Sequence, residues 1–179
     1  MASKSKTKGS SYERQMAKFL SERYGNSFVR VPNSGAYIGG SNNHRVVTLS
    51  EGQVRSFKGD IIPPDTWTYF NCECKNYADL PFHQILSGNH VAQLESWIDQ
   101  TMEVAEKDDF NILFIKITRK GEYVMIQDKE FHTGMFVQPG IEYQSHNHGK
   151  WWFLGSELFW NKCTKSVEEK SIRGSGTFT

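Results

Sequence analysis

The stretch Thr66–Lys75 constrains the fold of this chain more than any other. It follows a proline pair, Pro63-Pro64, which no strand interior tolerates. With a period of two, Trp67, Tyr69, Asn71, Glu73 and Lys75 share one face, and Thr68, Phe70, Cys72 and Cys74 share the other. The pattern predicts a β-strand with one apolar, buried face and an outward charged pair on the opposite face. Upstream, Asp60-Ile61-Ile62 predicts a short strand that the prolines end. If the two strands pair as a hairpin, Asp60, Glu73 and Lys75 converge at one point.

The flanking segments alternate between helical and extended patterns. Residues 1–9, with Lys4, Lys6 and Lys8, read as a flexible basic tail. Tyr12, Met16, Phe19 and Leu20 form one apolar stripe and predict a helix over residues 10–24, with Gly25 to end it. Phe28–Val31 reads as a short strand stopped by Pro32, followed by a Gly/Asn/Ser-rich run from Asn33 to Asn43. Arg45–Leu49 reads as a strand and Glu51-Gly52 as a turn. Val91, Leu94, Ile98, Met102 and Ala105 predict a second helix over residues 90–106. Asn111–Ile117 and Glu122–Gln127 predict a hairpin across Arg119-Lys120-Gly121. Residues 131–160 are rich in aromatics but have no clear period. Trp151, Trp152, Phe153, Phe159 and Trp160 are expected in the core or at a dimer contact rather than as base-stacking platforms. The expected organisation is a basic tail (1–9), a core (10–127), a C-terminal extension of the same domain (128–170) and a flexible tail (171–179). The order is that of an α/β fold, a small mixed sheet flanked by helices.

Composition removes several classes. The 179 residues suit one domain. Lys and Arg number 21 against 20 Asp and Glu, so attraction to a polyanion or a membrane has to come from a local patch. No apolar run approaches the ~20 residues of a membrane helix, and the N-terminus has no secretory pattern. Cys72, Cys74 and Cys163 lack the spacing of a disulfide framework or a zinc site. Cys72 and Cys74 read as small core residues, and a reducing, cytoplasmic compartment is expected.

The chemistry lies in Asp60 and, after twelve intervening residues, Glu73-Cys74-Lys75. Two carboxylates and a backbone carbonyl are the hard oxygen donors that Mg²⁺ prefers. A bound ion activates water and offsets charge on a phosphate under attack. A lysine beside it can orient or deprotonate the attacking water, or stabilise developing negative charge.

Asp60-x12-Glu73-x-Lys75 resembles the catalytic signature of the PD-(D/E)XK nuclease superfamily. The resemblance implies a restriction-endonuclease-like fold and Asp60, Glu73 and the Cys74 carbonyl as metal ligands. It also implies Lys75 as the residue assisting water and Glu13, on the first helix, as a further acidic group acting directly or through water. Phe28-Val29-Arg30-Val31-Pro32-Asn33-Ser34-Gly35-Ala36 is similar to the strand and Ser-Gly element of archaeal-type Holliday-junction resolvases. Gln93, with Trp97 four residues on, matches a glutamine that some members carry after Glu-x-Lys. The resemblance runs from about residue 9 to residue 117, and none is found over 128–179. Gly59 stands where the signature often has proline, and residues 37–57 exceed what a compact resolvase needs.

Each of these residues also has an ordinary reading. Ser10 and Glu13 fit a capping box, and Asp60 fits a turn after Gly59. Ser34 can begin a turn with Gly35, or its loop can meet a phosphate. Gln93 can be a polar-face residue, and Lys4, Lys6 and Lys8 a solubilising tail or salt-dependent phosphate contacts. Arg30, Arg45, Arg55 and Lys58 bracket the candidate site in sequence, as suits a polyanion. His146-Asn147-His148 has no companion residues at nuclease spacing and reads as a turn before Gly149. The expected function is a Mg²⁺-dependent DNA endonuclease, with Mn²⁺ able to substitute. It is read as a homodimeric Holliday-junction resolvase with Arg30, Ser34, Gly35, Lys58 and Gln93 on the DNA. The alternatives are a restriction-type or repair nuclease of the same fold, and a non-catalytic DNA-binding module.

Overall fold

A computed structural model describes residues 4–32, 58–132 and 140–175 of the chain. The first helix, α1 (Lys4–Tyr24), ends where Gly25, at φ +64°, donates its N–H to the carbonyl of Ser21. Tyr12, Met16, Ala17 and Leu20 are buried along one stripe. The helix begins at Lys4 rather than at residue 10, so the lysines of the expected tail belong to it. Ser10 is therefore a helix-interior residue, and the capping-box reading of Glu13 falls away. Apolar periodicity marks only the part of a helix that packs, and a helix once nucleated extends through polar residues without such a signal.

Two short strands, β1 (Val29–Arg30) and β2 (Ile61–Ile62), form an antiparallel ribbon with Arg30 opposite Ile61. The expected hairpin between the Asp60 strand and its successor is not formed. Pro63-Pro64 offer no N–H, and the chain turns after them with the N–H of Trp67 on the carbonyl of Pro64. The next strand, β3 (Phe70–Tyr77), starts after this turn. It is followed by α2 (Phe82–Leu86), α3 (Ala92–Met102), β4 (Phe110–Ile117) and β5 (Gly121–Gln127). A short helix α4 (Lys129–His132), the hairpin β6 (Ile141–Ser145) and β7 (Gly149–Gly155), and the long helix α5 (Ser156–Arg173) complete the order.

The larger sheet runs β3-β4-β5-β7-β6. The β3–β4 pair is parallel and the others are antiparallel, so the sheet is mixed, as expected for a restriction-endonuclease-like domain. A parallel pair needs a crossover, which here is supplied by α2 and α3. The sheet is covered on both sides. Phe70, Cys72, Cys74, Phe114 and Ile126 pack with α1 and α5, and Leu113, Ile115, Met125 and Phe153 pack with α2 and α3. The Glu73–Lys75 face is thus not an outward one. The crossover lays α3 over it, and both side chains are buried.

The aromatic C-terminal segment is core. Trp151, Phe153, Phe159 and Trp160 are buried, and half-buried Trp152 donates its indole N–H to Asp128 at 2.7 Å. The chain also stays packed past residue 171. Ser175 donates its N–H to the carbonyl of Asp108 and its hydroxyl to Glu130, and Glu130 pairs with Lys170 at 2.9 Å. Lys170 and Glu130 are almost wholly enclosed, which a lysine near a chain end does not announce.

Trp67 ties the ribbon to the sheet. Its ring meets Tyr24, Phe28 and Phe70 edge-on at 4.7, 4.9 and 5.5 Å between centroids. These contacts fix β1 and β2 beside β3 and so bring in Asp60. Trp67→Ala is expected to lower unfolding free energy by about 3–5 kcal/mol, read from the urea midpoint by circular dichroism.

Candidate active site

The site forms at the open edge of the sheet. β3 is an edge strand, with β4 on one side only. Along its free side the carbonyl of Cys72 and the N–H of Cys74 point outward, and Asp60 takes both. Its own N–H donates to the Cys72 carbonyl at 2.9 Å, and its Oδ2 accepts the Cys74 N–H at 2.7 Å. By backbone parity the Cys74 carbonyl opens toward the same edge.

Gly59 makes this clasp possible. It sits at φ +69°, and a Cβ there would lie 2.2 Å from the Cys72 carbonyl oxygen. Any side chain would push Asp60 off the strand, and a proline ring cannot adopt that φ. The departure of Gly59 from the usual proline is therefore imposed by how closely the two backbones approach.

Glu73 and Lys75 lie two apart on β3, and the Lys75 ammonium donates to Glu73 Oε1 at 2.7 Å. A second acceptor is Gln100 Oε1 on α3, at 2.5 Å. The two carboxyl groups, Asp60 and Glu73, are in hydrogen-bond contact. Burial, and then the negative charge of Asp60, push the Glu73 carboxyl up to about 8, and Lys75 opposes this without offsetting it. Near neutral pH the Glu73 carboxyl is therefore inclined to keep its proton. Beneath Glu73, Asn71 donates to Asn111 Oδ1 at 2.7 Å, and Asn111 donates to Gln127 Oε1 at 2.9 Å, a polar row across three strands. Asn71 Oδ1 is buried and has no hydrogen-bond partner among the described residues.

The donor set fits a hard divalent cation. Burial and the neighbouring Asp60 disfavour a charged Glu73, and a carbonyl opens beside the two carboxyls. Among the described residues no three His, Cys, Asp or Glu side chains are grouped to hold a metal.

The other expected residues are distributed unevenly. Glu13, buried on α1, forms an ion pair with Arg30 of β1, the residue opposite Ile61. Lys58 is turned inward onto Asp109. Gln93 donates to the Asp79 carbonyl at 3.4 Å and is not joined to Lys75. Trp97, its aromatic companion, is core, its ring tilted against that of Tyr77 at 4.8 Å between centroids. Ser34, Gly35, Arg45 and Arg55 lie outside the described residues, as do the expected strand at 45–49 and the turn at 51–52. Gln100 went unread. Its only sequence signal is that it stands two helical turns after Gln93 on the same face. His146–His148 form the β6–β7 turn, where Glu95 accepts the His146 N–H and Asp99 pairs with His148.

A family model described as phage putative PDDEXK endonuclease matches residues 4–152. The chain belongs to this family. It is thereby placed among nucleases of the restriction-endonuclease-like fold. The match continues through β6 into β7, past the point near residue 117 where the motif resemblance ends. No curated protein and no solved structure matches the chain. All three cysteines are free and buried, and no described helix is long and apolar enough to cross a membrane.

Gly59→Ala is expected to cost about 2–3 kcal/mol in urea unfolding, because the added carbon meets backbone and the residue must keep a positive φ. The ionic form of Glu73 sets a pH dependence. Its carboxyl is raised in the folded state from 4.5 to about 8, so the folded chain retains a proton that the unfolded chain loses. Stability of the metal-free protein should be full below pH 4.5 on this account and decline up to about 8. Glu73→Gln should flatten that decline in a series of melts, and an unchanged slope would assign it to another group.

Proposed function

We propose that the chain is a Mg²⁺-dependent endonuclease that hydrolyses phosphodiesters in branched DNA, four-way junctions foremost. It acts as a homodimer in the cytoplasm of an infected or host cell. One observation carries the reading. Asp60 is clasped to the free edge of β3, in contact with Glu73, and Lys75 is bonded to Glu73.

In this reading Asp60, Glu73 and the Cys74 carbonyl hold the ion, and Glu13 joins through water. When bound, the ion offsets phosphate charge and acidifies a water, and Mn²⁺ can take its place. Glu73 and Gln100 aim the Lys75 ammonium at the attacking water and at the oxygens on which negative charge builds. Water oxygen bonds to phosphorus while the bond to the 3′ oxygen breaks, leaving a 5′-phosphate and a 3′-hydroxyl. Arg30 and the Ser34-Gly35 element that follows it contact the DNA backbone. The junction preference rests on the likeness of residues 28–36 to the resolvase element. It also rests on the two-fold symmetry that a dimer shares with a four-way junction.

The test compares a mobile junction with its linear arms, a fork and single strands, in Mg²⁺ and in Mn²⁺. The junction should be cut fastest. Asp60→Asn and Lys75→Ala should each lower the rate at least about a hundredfold while DNA binding persists. Equal cutting of the linear arms would turn the reading to a restriction-type or repair enzyme. A wild-type chain that binds DNA and cleaves none of these substrates would be a binding module.

A further inference from the structure

A lysine two residues before an active-site carboxylate suggests a phosphate contact in a chain that acts on DNA. Lys58 is not exposed for that role. Its side chain is 7% accessible, and its ammonium pairs with Asp109, whose side chain is 1% accessible. Asp109 is itself held from several directions. Its Oδ2 accepts the N–H of Glu106 at 2.6 Å, and its carbonyl accepts the Lys129 ammonium at 2.8 Å and the Ser175 hydroxyl at 3.3 Å. The residue that follows, Phe110, opens β4 and bonds to the carbonyl of Tyr69 just ahead of β3. Asp109 is thus an immobile post at the end of the central strands.

The described residues that lead into Asp60 are Lys58 and Gly59. Downstream they are anchored by Asp60 itself, through the Val31 N–H on its carbonyl and through the Cys72 and Cys74 bonds. At Lys58, the polar anchor among the described residues is the pair with Asp109. Between the two anchors lies a glycine, the residue least able to restrict its own backbone. A buried ion pair adds little net stability over apolar residues of the same volume, but its geometry is demanding.

We propose that Lys58 is a positioning residue for the divalent-ion site: anchored by Asp109, it holds Asp60 on Cys74 and beside Glu73, and it does not contact DNA. The inference deepens the nuclease reading and rests on the same site. It is separable from that reading because ion binding can be measured without cleavage.

The experiment uses the full chain and four forms: wild type, Asp60→Asn, Lys58→Met and the double variant Lys58→Met/Asp109→Leu. Mn²⁺ binding is measured by calorimetry on the metal-free protein, DNA binding over a salt series, and unfolding by urea. Lys58→Met should weaken Asp60-dependent Mn²⁺ binding about tenfold or more and leave DNA affinity and its salt slope unchanged. The double variant, freed of the stranded Asp109 charge, should regain stability while its Mn²⁺ affinity stays low. Three results would overturn the proposal. One is Mn²⁺ affinity that returns together with stability, which makes the pair purely structural. The second is unchanged Mn²⁺ affinity with a salt slope reduced by about one, which makes Lys58 a phosphate contact. The third is wild-type Mn²⁺ binding indifferent to Asp60→Asn. A wild type that binds Mn²⁺ through Asp60 but cuts no DNA would defeat the nuclease reading, and the Lys58 effect on Mn²⁺ would still support the positioning role.

Discussion

Two backbone-level bonds on the free edge of β3 hold the candidate site together. Asp60 donates to the Cys72 carbonyl and accepts the Cys74 N–H. In any edge strand these groups are unpaired and available to whatever chain approaches. Here they are occupied by a residue whose side chain then lies against Glu73. The clasp closes only because residue 59 has no Cβ, and it stays in register because Trp67 locks the β1–β2 ribbon among Tyr24, Phe28 and Phe70.

A second constraint is electrostatic. Many of the informative charges of this chain are inside it: Glu73 with Lys75, Lys58 with Asp109, Lys170 with Glu130, and Glu13 with Arg30. In three of the four each carboxylate has at least one cation to itself, Glu130 having Lys129 as well as Lys170. The exception is the candidate site, where two carboxyls share one lysine, and burial together with the Asp60 charge raises Glu73. An excess of negative charge in a desolvated site is what a divalent cation relieves. Cations spent on internal pairs do not contribute to the outer field, so attraction to a polyanion depends on a local set of exposed ones.

Much of the architecture was legible beforehand. The α1 stripe, the β4–β5 hairpin and the period of Phe70–Lys75 each rest on local patterns that burial enforces. The Asp60, Glu73 and Lys75 spacing pointed to one place, and the fold brings Asp60 onto the Cys74 N–H and Lys75 onto Glu73. The tail lysines, the hairpin partner of Asp60 and the elements after residue 128 were read less well. Polar helix turns carry no apolar signal, two prolines divert a strand without naming its new partner, and consecutive aromatics such as Trp151-Trp152-Phe153 have no period when both faces of a strand are covered.

The sequence by itself determined which side chains share a strand face and how far apart the acidic and basic groups stand along the chain. These follow from a two-residue repeat and covalent connectivity alone. Only the tertiary structure decided that β2 pairs with β1, that Gln100 rather than Gln93 reaches Lys75, and that Lys58 turns inward. Each of those choices depends on which distant segment packs alongside, and a long-range contact leaves no periodic trace in the residues that make it.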